Sequence, residues 1–370
     1  MTDPRVSNLA KLIVNYCVYL KKGEEVVING TVESIPLIRE IVKYTVDAGA
    51  YPVMINIGDE SITEAFYRHA PPEVLSHVSI IEKEMISRIN ASISILAPSH
   101  TKPLAGIDPE KIMIRSRARR ELSQIYLERS ARGELKWVIA PYPTRALAQE
   151  AGMSIGEYED FVYRATFADQ EDPVQAWVDK AREQEKIARF LEKAREIRYV
   201  GEGIDLYLRV DGRKWVNDDG HYNMPGGEVF SAPVDDSAEG YVEFDYPAIW
   251  RGVEVEGVKL VFKKGVVVEA AARKGGEFLA KMLDTDEGAR KIGEIAFGLN
   301  YNITRFTKEI LFDEKIGGTI HLALGSAYPE TGGQNKSAIH WDMIKDMRKA
   351  KVFIDGDLVY ENGRFIKETI

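Results

Sequence analysis

Residues 26–57 read VVINGTVESIPLIREIVKYTVDAGAYPVMINI, and this stretch decides the fold of the first half of the chain. It opens with the apolar run Val26 to Ile28 and continues from about Ser34 with apolar residues at helical spacing. After a stop at Gly49 it closes with a second apolar run, Val53 to Ile57. The pattern predicts a strand, a helix and a second strand. Strands joined in this way favour a parallel sheet, because parallel neighbours need a crossover connection.

The same alternation of strands and helices continues on both sides of this stretch. A helix precedes it and is expected to end by Gly23. Further strands are expected at Ile93 to Leu96 and at Trp137 to Ala140. A last helix begins at Asp172-Pro173 and fades near Ile197. We therefore predict an α/β N-terminal domain with helices on the faces of a parallel sheet.

Beyond this point, short β-type runs separated by tight turns replace the alternation. The runs are Leu206 to Val210, Tyr241 to Phe244, Val253 to Val255, Val258 to Phe262 and Val266 to Val268. A hairpin around Asn362-Gly363 closes the chain. The pattern predicts an α+β C-terminal domain with mostly antiparallel strands. The predicted domains are residues 1–197, the α/β domain, and residues 198–370, the metal-binding catalytic domain.

One further helix is predicted within the second domain. Asp284 followed three residues later by Glu287 resembles a capping box, and the helix is expected to run to about Phe297. Glu294 would then lie on its last turns.

The composition excludes several classes of function. The chain has 370 residues and a net charge of -9, which repels nucleic-acid phosphates and anionic lipid, so neither nucleic acid nor membrane is expected as a partner. No apolar run approaches the roughly 20 residues needed to cross a bilayer, and the start lacks a signal-peptide pattern, which predicts a cytoplasmic protein. The single cysteine, Cys17, excludes a thiolate cluster within one chain, so a metal ion must be bound by nitrogen and oxygen.

Two of the six histidines, His321 and His340, occur in apolar surroundings near the end of the chain. Residues two apart on a strand point to the same face, so His340 and Asp342 can converge on one ion. His321 follows Ile320 and precedes Leu322, which indicates a buried strand. A core histidine satisfied by a backbone carbonyl is the alternative, and the nearby aspartate weakens it.

Other candidate ligands are carboxylates beside turns or in apolar runs. Glu228 follows the turn formed by Pro225, Gly226 and Gly227, and a turn of that kind presents a carboxylate at the mouth of a strand; a solvated surface glutamate is the alternative. His221 is more typical of a polar loop than of a ligand. Asp313 and Glu314 are candidates for a ligand or a general base, or else mark an element that ends in water.

Three motifs together resemble the thermophilic metallopeptidase family typified by aminopeptidases T and S. They are NMPGGEVFSAP at 223–233, ILFDEKIGGTIHLALGSAYPETGG at 310–333 and KSAIHWDMI at 336–344. The resemblance covers most of the second half and, more weakly, the first. It implies a two-metal site, release of amino-terminal residues from peptide substrates, and a homodimer. The ligands that it implies are Glu228, Glu294, His321, Tyr328, His340 and Asp342.

A set of carboxylate and imidazole ligands suits divalent ions such as Zn, Co, Mn or Mg, and the resemblance implies two of them. Such a pair can activate a shared water for attack on a peptide carbonyl. Glu314 is our candidate for the base that takes the proton of the water and passes it to the leaving amine.

Two other functions fit the same residues. One is a dinuclear hydrolase of another amide or ester, which would show no preference for a free amino terminus. The other is a non-catalytic peptide- or metal-binding protein on the same scaffold, which would bind peptides without cleaving them.

Overall fold

The computed structural model describes residues 3–367 of the chain. Contacts between Cα atoms divide them into two units, the first formed by 3–176 with 220–225 and the second by 177–219 with 226–367. Each unit has buried apolar clusters of its own. The domain boundary at residue 197 stays a prediction.

The first unit contains a four-stranded sheet and most of the helices. Its strands are β1 (Glu25–Thr31), β2 (Tyr51–Gly58), β3 (Ala91–Leu96) and β4 (Lys136–Pro141). The helices are α1 (Pro4–Leu12), α2 (Ile35–Asp47), α3 (Glu60–His69), α4 (Pro72–Ser76), α5 (Ile80–Arg88), α6 (Pro109–Ala118), α7 (Arg120–Ala131), α8 (Arg145–Glu150), α9 (Ile155–Ala165) and α10 (Pro173–Leu191), the last of which continues into the second unit. A π-helical turn, Ile13–Cys17, extends α1, and a 3-10 turn, Val32–Ser34, precedes α2.

The sheet of the first unit is parallel, as the sequence predicts. Its order is β2-β1-β3-β4, and every neighbouring pair is parallel. Val26, Val27 and Ile28 of β1 are buried, because this strand lies between two others under helices. The helix expected before β1 is α1, and Asp3 caps it by accepting a hydrogen bond of 2.9 Å from the backbone N–H of Arg5.

The second unit consists mainly of strands. They are β5 (Glu196–Gly201), β6 (Ile204–Arg209), β7 (Val216–Asp218), β8 (Glu228–Ser231), β9 (Glu239–Glu243), β10 (Ala248–Trp250), β11 (Val253–Val255), β12 (Lys259–Lys263), β13 (Val266–Ala271), β14 (Ile292–Gly298), β15 (Thr319–Gly325), β16 (His340–Asp346), β17 (Ala350–Ile354), β18 (Asp357–Glu361) and β19 (Arg364–Phe365). Two helices, α11 (Gly276–Leu283) and α12 (Ile310–Asp313), and two 3-10 turns, Glu287–Arg290 and Pro329–Thr331, complete the described elements.

These strands form two larger sheets and a small ribbon. The eight-stranded sheet has the order β13-β12-β9-β6-β5-β17-β18-β19, and the five-stranded sheet has the order β16-β15-β14-β8-β7. All strand pairs of both sheets are antiparallel, as predicted. One buried apolar cluster contains residues of both sheets, among them Leu206 and Phe297. The five-stranded sheet therefore has one face on the core and another free to carry polar residues.

The predicted helix from Asp284 to Phe297 is wrong. Only a 3-10 turn forms there, capped by Asp286, and Glu294 lies on β14 instead. All seven residues of β14 are buried, so both faces of this central strand are covered. A strand buried on both faces has apolar residues at odd and even positions alike, so its sequence does not alternate.

One smaller difference and one agreement concern the ends of the second unit. The helix that begins after Asp172 ends at Leu191 and not near Ile197, which lies in β5. The predicted closing hairpin is present, with Asn362 and Gly363 both at positive φ between β18 and β19, as a tight turn of this type requires. None of the described helices is both long and apolar enough to cross a bilayer.

Candidate metal centre

The register of the five-stranded sheet brings the predicted ligands to one face. Glu294 pairs with Ala323, and Ala323 pairs with Asp342, so one row crosses β14, β15 and β16. His340 pairs with Gly325 in the next row. Paired residues of an antiparallel sheet point to the same face, and the small side chain of Ala323 leaves space between the two carboxylates.

β8 adds a further carboxylate at the edge of the same face. Glu228 is its first residue and pairs with Gly298, directly after the turn that the sequence indicated. In the neighbouring row Phe230 pairs with Ala296, which pairs with His321. A small residue of β14 again separates two larger side chains.

A β-bulge in β14 sets the direction of the Glu294 side chain. The register between β14 and β15 shifts between Ile292 and Glu294, which leaves Gly293 as an extra residue. A Cβ atom at Gly293 would lie 2.3 Å from the backbone oxygen of Gly325, so a larger residue does not fit. Bulges of this kind redirect the following side chain, here towards the histidines.

Backbone carbonyls fix the orientation of both histidines. Nδ1 of His321 lies 3.0 Å from the carbonyl oxygen of Glu314, and Nδ1 of His340 lies 2.7 Å from that of Ser326. A carbonyl oxygen only accepts, so each Nδ1 must carry the proton that it donates. In the neutral tautomer each Nε2 is therefore a lone-pair donor that a metal ion can use.

Both of these Nε2 atoms face the carboxylate of Glu294. Nε2 of His321 lies 3.1 Å from Oε1, and Nε2 of His340 lies 3.2 Å from Oε2. At these distances, the lone pair of each Nε2 repels the negative oxygen that it faces unless a proton or a metal cation lies between the two atoms. Glu294 is therefore the central group of the site.

The ionisable side chains form three sets of possible ligands, and two of these sets share Glu294. Glu228, Glu294 and His321 make one of these two, and Glu294, His340 and Asp342 make the other; within each, the ligand atoms lie within 4.8 Å of one another. We name the first set, which is entirely buried, the inner half of the centre. The second set is the outer half, where the side chains of His340 and Asp342 are 25% and 14% exposed.

The residues present fit a divalent cation. Oε2 of Glu228 is buried and accepts no hydrogen bond within the described part of the chain, and its nearest basic atom is Nδ1 of His321 at 3.6 Å. A buried carboxylate oxygen without a partner costs several kcal/mol, roughly, unless a cation satisfies it. The ligands are all imidazole nitrogen or carboxylate oxygen, which suits Zn, Co, Mn or Mg.

Without metal ions, protons on the imidazoles of His321 and His340 supply the positive charge between the carboxylates. Burial alone would lower the pKa of His321, but the charges of Glu228 and Glu294 outweigh it and raise that pKa to about 10. Burial likewise opposes the charged form of His340, but Asp342 and Glu294 raise its pKa to about 12. Burial raises the pKa of Glu228 well above its usual range. The centre therefore strongly favours positive charge between its carboxylates.

Glu314 lies beside the same cluster. Its carboxylate forms a third group with His321 and Asp342, within 4.8 Å of one another. Burial raises the pKa of Glu314, although the neighbouring ammonium of Lys315 opposes this. A carboxylate with a raised pKa next to a cation site has the properties of a general base.

Tyr328 lies at the exposed rim of the outer half. Its ring centroid is 4.9 Å from that of His340 and 5.6 Å from that of Phe230, and the residue is 42% exposed. The three rings form an aromatic border beside the candidate ligands.

Two weaker candidates lie apart from this cluster. Asp313 is buried and accepts hydrogen bonds from the backbone N–H and the hydroxyl of Thr307, at 2.7 and 2.8 Å. It stabilises the loop before α12 and does not belong to the possible ligand sets. His221 lies in the first unit, where its ring centroid is 4.6 Å from that of Tyr16.

Sequence reasoning missed two charged residues that contact the cluster. Lys315 is fully buried, touches Oε1 of Glu314 and lies 3.7 Å from Oε1 of Glu228. Oδ2 of Asp218 lies 3.6 Å from the same ammonium group. A signal for Lys315 was available, since a lysine is rarely buried and this one stands between a carboxylate and the apolar start of the motif IGGTIHLALG.

Together, the fold and the centre define a protein with a candidate site for divalent metal ions. The sequence profile of the thermophilic metalloprotease family, M29, matches residues 2–365, and the chain belongs to that family. The predicted membership is thus confirmed, and it implies a hydrolase that uses a metal ion.

Similar proteins extend over nearly the whole chain. It is 28% identical to aminopeptidase 2 of Geobacillus stearothermophilus, over 97% of this chain and 98% of that protein. It is 29% identical to aminopeptidase T of Thermus thermophilus, over 97% and 95%. The fold is similar to a solved structure described as wild-type AmpT from Thermus thermophilus, with a TM-score of 0.85, 26% identity and coverage of 98% and 99% of the two chains.

Proposed function

We propose that this chain is an aminopeptidase that uses two divalent metal ions to hydrolyse the first peptide bond of its substrates. The ions are Zn, Co, Mn or Mg, as the ligand chemistry suggests. The proposed ligands are Glu228, Glu294, His321, Tyr328, His340 and Asp342.

One observation carries the proposal of two ions. His321 and His340 turn their Nε2 atoms towards different oxygens of Glu294, at 3.1 and 3.2 Å. Each pair of nitrogen and oxygen leaves a gap in which a cation is needed, and the carboxylate of Glu294 contributes one oxygen to each gap. Glu294 would thus hold both ions, one with each of its carboxylate oxygens.

The remaining ligands divide between the two gaps. Glu228 completes the inner half and Asp342 completes the outer half, with one imidazole in each. We assign Tyr328 to the outer half because its ring lies beside that of His340. The inner half is closed to solvent, so substrate and water approach from the outer half.

The chemistry that two such ions supply when bound is polarisation of a peptide carbonyl and acidification of a water for attack. Glu314 then takes up the proton of that water and donates it to the leaving amine. Its raised pKa suits both roles, because the group must hold the proton between the two steps. Its position next to Asp342 and His321 keeps the transfer within the cluster.

The choice of an amino-terminal residue as substrate rests on the relatives. Proteins that match this chain from end to end bear the names aminopeptidase T and aminopeptidase 2. The carboxylates of the centre also suit a positively charged amino group next to the scissile bond.

A pair of substrates tests this choice. We expect the purified protein, loaded in turn with Zn, Co, Mn or Mg, to cleave leucine p-nitroanilide at least about 100-fold faster than N-acetyl-leucine p-nitroanilide. Equal cleavage of the two would favour a hydrolase of other amides or esters. Binding of peptides with no cleavage under any metal would favour a non-catalytic binding protein.

Two matched variants connect the activity to the centre. His340→Ala removes a proposed ligand, whereas His69→Ala removes an exposed histidine of the first unit. We expect the first to lose both the activity and one equivalent of metal, and the second to keep both. A homodimer and a cytoplasmic location also stay proposals, and light scattering of the purified protein tests the first.

A further inference from the structure

Lys315 is a buried cation beside the centre that the proposed mechanism does not use. Its side chain is 0% exposed. The ammonium contacts Glu314 and lies 3.6 Å from Oδ2 of Asp218 and 3.7 Å from Oε1 of Glu228. Burying a lysine is unfavourable unless carboxylates compensate its charge, and here three of them do.

The backbone around Lys315 holds the ammonium in place. The N–H of Lys315 donates to the carbonyl oxygen of Phe312 at 3.0 Å, and its own carbonyl accepts from the N–H of Asn300 at 3.0 Å. Asp218 pairs with Glu228 between β7 and β8, so two of the three carboxylates are held by neighbouring strands. The positive charge therefore has a fixed location.

This location makes the two halves of the centre unequal. Glu228 belongs to the inner half and lies next to the ammonium. Across the described residues, no ion pair within 4.0 Å joins Lys315 to Glu294 or Asp342. Because Coulomb repulsion falls with distance, an incoming metal ion meets more repulsion in the inner half than in the outer half.

A count of formal charges is consistent with Lys315 being part of the centre. The cluster contains five carboxylates with five negative charges, and Lys315 with one positive charge. Two divalent ions add four positive charges, so the complete centre is neutral. The five carboxylates are Asp218, Glu228, Glu294, Glu314 and Asp342.

We propose that Lys315 is a positioning residue that sets the order of metal binding: the outer half binds the first ion tightly, and the inner half binds the second ion more weakly. This inference rests on the proposed two-metal function. The cation competes with the second ion for Glu228, and it also holds Glu314 beside the site.

Titration of the metal-free protein with Co²⁺ tests the proposal. Binding is measured by calorimetry and by the visible absorption of the bound Co²⁺. We expect two binding steps whose dissociation constants differ at least about tenfold. Lys315→Met, which keeps the volume and removes the charge, should tighten the second step at least about tenfold and the first step less. Lys315→Arg should keep the two steps apart.

Asp218→Asn is a milder variant, and its expected effect on the affinity of the second binding step is opposite to that of Lys315→Met. It removes a negative charge from the partner of Lys315 and leaves the ammonium less compensated, so the second step should weaken at least about threefold. A residue with a merely structural role would weaken both steps in both variants. Asp218→Asn also keeps the test valid if Lys315→Met does not fold.

The outcomes separate this inference from the proposed function. Failure of the wild-type protein to bind two Co²⁺ ions would contradict the two-metal function itself. Two steps of equal affinity in the wild type, or an unchanged gap in both Lys315→Met and Asp218→Asn, would overturn the role of Lys315 alone.

Discussion

Strand β1 of the first unit and strand β14 of the second unit are both central strands, but their buried residues differ in chemistry. β1 buries Val26, Val27 and Ile28, which each stabilise the fold by roughly 1.5 to 3 kcal/mol. β14 is buried at all seven positions, and one of them is Glu294. A buried carboxylate destabilises a fold unless a cation accompanies it. The difference separates a strand that only supports the structure from one whose carboxylate we propose to be a metal ligand.

The largest expected effect comes from removing the charged residue of β14. Glu294→Gln should lower kcat/KM at least about 10⁴-fold, because the variant loses the carboxylate that we propose as a ligand of both metal ions. Metal analysis should show fewer than two ions per chain. Glu269→Gln, an exposed change on β13, is the control and should keep activity and metal content. Full activity in Glu294→Gln would remove the distinction between the two strands.

A smaller loss of activity is expected when Glu314, the proposed base beside the cluster, is replaced. Glu314→Gln should lower kcat by about 10² to 10⁴-fold while both metal ions stay bound, because a general base contributes to catalysis by that amount. The measurement is kcat together with metal content. Loss of an ion in this variant would make Glu314 a ligand and not a base.

The metal-free protein should respond to pH in a direction set by the two histidines. The pKa values of His321 and His340 lie at about 10 and about 12, above the ordinary value of 6.5. Their protonation therefore stabilises the fold fully below about pH 6.5, and this contribution is lost as the pH rises towards about 10. The metal-loaded protein should not show this loss, because its imidazoles would hold ions in place of protons and are also neutral in the unfolded chain above about pH 6.5.

Thermal unfolding between about pH 6 and pH 10 measures this response. The difference between the midpoints of the metal-loaded and metal-free proteins should widen with pH, by about 5 °C or more. A difference that stays constant with pH would contradict the assignment of both imidazoles to the centre.

The smallest effects are expected from buried apolar residues. Shortening one of them should lower the free energy of unfolding by a similar amount in β1 and in β14. Ile28→Val in β1 and Ile295→Val in β14 should each lower the free energy of unfolding by about 0.5 to 1.5 kcal/mol, the cost of one buried methyl group. Neither should change metal content. Denaturant unfolding and metal analysis check this pair, and a loss of metal in Ile295→Val alone would show that packing of β14 also controls the site.

Local sequence patterns were sufficient to predict the parallel sheet of the first unit. Apolar runs such as Val26 to Ile28 alternate with helical segments, and the parallel sheet follows from that order. The position of Asp342 beside His340 also followed from the two-residue repeat of a strand. In both cases the residues that interact are close in sequence or belong to a regular repeat.

The central part of the site could not be predicted in this way. Glu294 was expected on a helix because Asp284 and Glu287 resemble a capping box. A strand buried on both faces carries no alternation that would contradict this, and the bulge at Gly293 is not visible in the sequence. Lys315 and Asp218 meet only because separate elements of the second unit pack together. Resemblance to a family indicated the ligands, but only the structure shows that the two imidazoles share one carboxylate.

The most direct test of the two-metal centre is an anomalous difference map from a crystal of the protein loaded with Zn or Co. We expect two peaks about 3.5 to 4 Å apart, one between Nε2 of His321 and Oε1 of Glu294 and the other between Nε2 of His340 and Oε2 of Glu294. Each peak should lie about 2.0 to 2.1 Å from its imidazole nitrogen. A map without peaks in these two gaps, with the imidazoles bonded directly to Glu294, would contradict the account.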